Sequence, residues 1–98
     1  MAVQLRRYEI VPGEFDAFLA WFPAIIPVRE TYGFKVLFAY GDREANEFVW
    51  AVSHDGDFDA ALEVYNASPE RAKVFEGVPT RVAKMHLSMV DEVVPAHA

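Results

Sequence analysis

The chain has 98 residues, 53% of them hydrophobic and 14% aromatic, a length that supports one hydrophobic core, so residues 1–98 read as a single domain and a multidomain or disordered protein is excluded. Fifteen acidic against nine basic side chains give a formal net charge of -6, which repels phosphate backbones and anionic bilayers and argues against nucleic acid or a membrane as partner. There is no cysteine, which removes disulfide frameworks, thiolate nucleophiles and cysteine-held zinc or iron–sulfur sites, and favours a reducing compartment.

The opening run Met1-Ala2-Val3-Gln4-Leu5-Arg6-Arg7 has no apolar signal core after its charges. Apolar runs elsewhere are broken by Pro or charge short of the ~20 residues a spanning helix needs, and a cytoplasmic protein is expected. Eight Phe, four Tyr and two Trp are more than a small monomer covers comfortably, so a partner subunit is expected too.

In chain order, Val3 to Val11 is rich in β-formers and is stopped by Pro12-Gly13, giving a first strand. From Glu14, the residues Phe15, Phe18, Leu19, Phe22 and Ile25 or Ile26 recur at helical spacing, predicting a helix kinked or restarted at Pro23 and closed by a left-handed Gly33. Phe34 to Tyr40 reads as a second strand, with Phe34, Val36, Phe38 and Tyr40 sharing one side. A polar connection over 41–46 then leads into a third strand, Glu47 to His54, paired antiparallel with the second. Asp55 or Asp57 can cap a helix carrying Phe58, Ala61, Leu62 and Tyr65 on one face. Ser68-Pro69 restarts that helix to about Glu76, and a last strand runs from Arg81 to Val90. Pro95 to Ala98 is expected to fray.

Strand, helix, strand, strand, helix, strand is the α+β, ferredoxin-like βαββαβ order, a four-stranded antiparallel sheet with its helices on one side. The bare side of such a sheet, rich in rings, is best covered by the same side of a second copy, and a homodimer is expected on that ground.

Several stretches carry a family resemblance. Leu5-Arg6-Arg7-Tyr8 before Pro12-Gly13, then Pro27-Val28-Arg29-Glu30 before Tyr32-Gly33-Phe34-Lys35, resembles the opening of the NIPSNAP family. Phe48-Val49-Trp50, Tyr65 and Ser68-Pro69-Glu70-Arg71 are similar to its second half, so the likeness spans roughly Leu5 to Val90. It implies a dimeric α/β barrel built from two ferredoxin-like subunits. It implies no single reaction, because that superfamily holds cofactor-independent monooxygenases, haem-degrading enzymes, muconolactone isomerase-like enzymes and many members without assigned chemistry.

Alternation along the strands sorts the candidate site residues. One set holds Arg6 and Tyr8, Trp50 and His54, and Lys84, His86 and Ser88. The opposite set holds Leu5, Val49 and Ala51, and Ala83, Met85, Leu87 and Met89. The smooth second set is expected under the bulky helix Phe side chains, and the polar-aromatic first set in the barrel interior. His54 and His86 are the candidate catalytic groups, since imidazole titrates nearest neutrality. Their spacing suits no metal site, and no cofactor is expected. Tyr8, Tyr40, Trp50 and Tyr65 are candidate walls for a flat apolar or aromatic compound, and Arg6 and Arg71 candidate holders of a carboxylate or enolate oxygen. Packing in a non-catalytic structural or interaction dimer is the competing reading for the same residues.

Overall fold

The computed structural model describes residues 1–94. Its elements are β1 (Ala2–Ile10), α1 (Phe15–Trp21), a 3-10 turn (Phe22–Ala24), α2 (Ile25–Thr31), β2 (Phe34–Asp42), β3 (Glu47–His54), α3 (Phe58–Asn66), α4 (Pro69–Phe75) and β4 (Val82–Val90). Sheet order is β2-β3-β1-β4 with antiparallel pairing throughout, the ferredoxin-like α+β arrangement. The expected fraying of Pro95 to Ala98 lies outside the described residues.

Local chemistry accounts for the punctuation. Pro23 falls inside the 3-10 turn and breaks the long helix into α1 and α2, while Pro27 sits in the first turn of α2, where a missing donor costs little. Asp57 caps α3 by accepting from the Ala60 amide at 3.0 Å. Ser68 caps α4 by accepting from the Arg71 amide at 3.2 Å and donating to the Tyr65 carbonyl at 2.7 Å, which locks α4 to the end of α3. Gly33, at φ +86°, closes α2. A Cβ there would stand 2.7 Å from His54 Nε2, so both the backbone and the space require glycine.

The core lies between the helices and one face of the sheet. Phe15, Phe18, Phe22 and Ile25 from the first helical segment, with Phe58 and Tyr65 from α3, pack on Tyr8, Ile10, Phe34, Phe48, Trp50 and Val52. Edge-to-face and tilted ring contacts run through it, among them Phe18 on Phe48 at 4.9 Å and Phe22 on Trp50 at 5.0 Å.

This overturns the face assignment for β1 and β3. Arg6, Tyr8 and Trp50 face the helices, and Leu5, Val49 and Ala51 face away. Volume decides the matter in these two strands: the helices stand off the sheet, and the larger side chains of β1 and β3 fill the gap between the layers. In β4 the expectation holds, because Met85 and Leu87, paired with Tyr8 and Arg6, lie on the helix side, while His86, paired with Arg7, lies on the open side. Trp50 and His86 are therefore on opposite faces.

Strand β2 departs from strict alternation as well. Its pairing with β3 slips between Val36 and Phe38. The irregularity leaves Phe34 and Val36 toward the helices and turns Phe38 and Tyr40 to the open face, where their rings stack at 5.5 Å.

Candidate functional site

Between sheet and helices is a cavity of about 90 Å³ whose walls include Arg6 and Tyr8 of β1, Trp50 of β3, Arg29 of α2, Tyr65 of α3 and Arg71 of α4. Phe18, Trp21, Phe22, Ile25, Phe75, Val82 and Met85 complete the lining. Phe18, Trp21, Phe75, Val82 and Met85 are shared with an adjoining hollow of about 200 Å³ that reaches Val78–Arg81. The inner, cationic space thus adjoins a larger apolar one.

The helices deliver the arginines by simple periodicity. Phe18, Phe22, Ile25 and Arg29 follow one another at steps of four, three and four, so Arg29 continues the buried apolar stripe, and only 3% of it is exposed. The Ser68 cap sets the first turn of α4, and the Arg71 guanidinium lies 4.2 Å from the Phe75 ring and 5.7 Å from that of Tyr65.

Two of these arginines are held differently. Arg6 donates from Nε to the Tyr8 hydroxyl at 2.8 Å and from Nη1 to Gln4 Oε1 at 2.7 Å. Arg29 lies among ring faces, 4.2 Å from Tyr65, 5.1 Å from Trp50 and 5.2 Å from Phe34. Its Nε and Nη1 have no protein acceptor, and neither do Trp50 Nε1 and Arg71 Nε. Burial away from water pushes the Arg29 guanidinium below its ordinary value, and the Arg6 charge adds to the drop, while Tyr65 acts in the opposite sense. No Asp or Glu lines the cavity, and the ion pairs among the described residues, Arg43–Asp16, Arg81–Glu14 and His86–Glu9, all lie elsewhere.

Of the residues singled out in the sequence, Arg6, Tyr8, Trp50, Tyr65 and Arg71 come together here. Tyr40 does not, being 66% exposed on the open face. The two histidines do not meet either. His54 accepts the Gly56 amide proton on Nδ1 at 2.9 Å, so its proton is on Nε2, which donates to the Tyr32 carbonyl at 3.1 Å. Both nitrogens are thereby engaged in tying the end of α2 to the β3–α3 connection. His86 is exposed and pairs with Glu9 at 3.2 Å. Arg29 was missed as a site residue, although its signal is readable: a charge set in phase with the apolar stripe of its own helix.

A second polar contact braces the rim. The Tyr32 hydroxyl donates to Glu70 at 2.6 Å, tying α2 to α4, and this bond to a carboxylate raises the phenol above its ordinary value, with burial adding to the rise.

The fold and this cavity define a ferredoxin-like α+β domain with a small arginine-lined cavity between its layers. No protein-family model matches the chain, and no curated protein does so in sequence. Among solved structures, it is similar to a NIPSNAP domain protein from Burkholderia xenovorans, with a TM-score of 0.77 and 18% identity over 93% of each chain. A NIPSNAP family protein of unknown function from Agrobacterium tumefaciens gives a TM-score of 0.80 at 14% identity, over 92% of this chain and 86% of that one. A Bacteroides thetaiotaomicron protein described as a candidate antibiotic biosynthesis monooxygenase gives 0.71 at 26% identity, over 96% and 90%. The sequence resemblance is thus met in three dimensions: in fold, the chain is similar to NIPSNAP domain proteins.

Proposed function

We propose that the protein binds or transforms a small apolar or aromatic metabolite in the cavity between sheet and helices, as part of a cytoplasmic homodimer. The observation that carries this reading is the cavity itself, where Arg29, Trp50 and Arg71 keep unsatisfied N–H groups among aromatic walls. Buried donors are nearly always paired, so several left over in one cavity match a ligand-binding role better than a packing role. Likeness to the candidate antibiotic biosynthesis monooxygenase fits chemistry of the cofactor-independent oxygenase or isomerase kind. Tyr8, whose hydroxyl accepts from Arg6, is the group lining the cavity best suited to hold or pass a proton.

The homodimer rests on the open face. Val3, Leu37 and Ala51 form a buried apolar cluster there with Leu5 and Phe38 packed on it, beside a hollow that Val90 to Val94 help to line, and the exposed Tyr40 flanks it. A second copy offers the same apolar face, which is what an isologous contact requires. Lys84 and His86 would lie in that interface, making His86 a contact between subunits. A non-catalytic dimer is the second reading, favoured by one observation: the inner cavity, at about 90 Å³, is well short of the ~300 Å³ of common ligand sites.

Native mass spectrometry of the purified protein tests the main reading. Mass beyond that of the polypeptide is expected, lost on acid unfolding and absent from Met85→Trp, which fills the passage between the two hollows. A chain that flies free, and whose Trp50 indole proton is moved by no member of a panel of aromatic compounds, would refute it.

A further inference from the structure

The chain as a whole is acidic, with a formal net charge of -6, yet the charges facing its internal cavity are all arginines. We infer that the occupant of that cavity is an anion, an aromatic or apolar carboxylate whose charged end meets Arg29, Arg71 and Trp50 and whose body extends past Phe75 and Met85. This rests on the cavity reading given above and adds to it the charge of the ligand and the residues that read it.

Four N–H groups lack a protein acceptor, namely Arg29 Nε and Nη1, Arg71 Nε and Trp50 Nε1, and all belong to residues lining this one cavity. Arg6 supplies an internal control. It is also buried and beside Trp50, but Gln4 and Tyr8 satisfy it within the chain. The protein therefore has the means to satisfy an arginine's hydrogen bonds at this depth, and on Arg29 it supplies only Tyr65, leaving Nε and Nη1 without an acceptor. Ring faces stabilise the charge of Arg29 but do not accept its in-plane protons well.

The ligand's chemistry follows from the donors. A neutral carbonyl would satisfy hydrogen bonds and leave a 97% buried cation uncompensated, whereas a carboxylate supplies the charge along with two oxygens able to accept about four hydrogen bonds. A phosphate is the weaker match, because its larger tetrahedral head suits backbone amides at an open loop more than a cavity of about 90 Å³ walled by rings.

Benzoate and its neutral isostere benzamide, titrated into the intact protein, separate the possibilities when followed by the Trp50 indole N–H resonance. Benzoate is expected to bind tighter than benzamide by about tenfold or more, the scale of one charge-assisted hydrogen bond. In Arg29→Met the ratio is expected to fall to about one with benzamide binding retained. Arg71→Met, at a half-buried position, is expected to reduce it less, and carries the test if Arg29→Met does not fold. Benzamide binding as tightly as benzoate, or a preference unchanged in a folded variant, overturns the anion and leaves the cavity reading standing. Neither compound moving Trp50 overturns the cavity reading and the anion with it.

Discussion

Replacing Arg29 by Met should make the ligand-free protein more stable, which is unusual for a core substitution. Met keeps most of the apolar stem volume and fills the space flexibly, so little cavity is created. What is lost are contacts of the guanidinium with the rings of Tyr65, Trp50 and Phe34, each about 0.5–2 kcal/mol. What is relieved is a buried charge without a counter-ion or acceptors for two of its nitrogens, a cost of several kcal/mol after relaxation, plus repulsion from Arg6. Burial holds the Arg29 guanidinium below its ordinary value, so its surroundings disfavour the charged form.

The three contacts together are worth about 1.5–6 kcal/mol, so the expected balance is a gain of at most about 1–2 kcal/mol, and for a domain of this size each kcal/mol moves Tm by about 4–8 °C. The sign with pH follows. A base whose folded value is lowered leaves the unfolded chain holding more protons only between that value and the ordinary guanidinium value, so stability rises with pH only in that alkaline window. Across about pH 5 to 9 the gain should be constant. Thermal melts of wild type and variant over that range decide it. A variant less stable than wild type by more than about 1 kcal/mol throughout would mean that Arg29 is fully compensated by its rings, and the reasoning about an unsatisfied cation fails.

Further outcomes are expected elsewhere. Gly33→Ala should cost more than the ~1 kcal/mol of a left-handed backbone alone, because the new methyl meets His54 Nε2 at 2.7 Å; denaturant midpoints measure it, and a neutral result would mean the His54 ring moves freely. Ser68→Ala should destabilise by about 1 kcal/mol through loss of the α4 cap, and a circular-dichroism melt identical to wild type would contradict that. His86→Ala, removing only an exposed pair with Glu9, should change monomer stability by less than about 0.5 kcal/mol. Leu5→Glu on the open face should convert a dimer to a monomer in light scattering, and a wild-type monomer at micromolar concentration would refute the dimer. Tyr32, whose phenol the bond to Glu70 holds above its ordinary value, contributes stability below the ordinary phenol value that is lost as pH climbs through the higher folded one; Tyr32→Phe should flatten that alkaline loss in a urea series.

Much of the chain's order could be read from local chemistry. Pro12-Gly13, the Asp57 cap, Ser68-Pro69 and the positive-φ Gly33 act within a few residues of themselves, so the elements and the βαββαβ order followed from the sequence alone. Most of the cavity's side chains were legible too, since alternation placed Arg6 with Tyr8 and periodicity placed Tyr65 inward. Which sheet face met the helices was not. Alternation fixes only the two sides of one strand, whereas the parity between strands depends on pairing register and on irregularities such as the slips after Glu9 and after Val36. The choice of buried side then depends on how much volume the layers must fill between them. The cationic character of the cavity was likewise a tertiary outcome, because Arg29 and Arg71 acquire meaning only when helices distant in sequence from β1 and β3 carry them to Trp50, in a cavity that no acidic side chain lines.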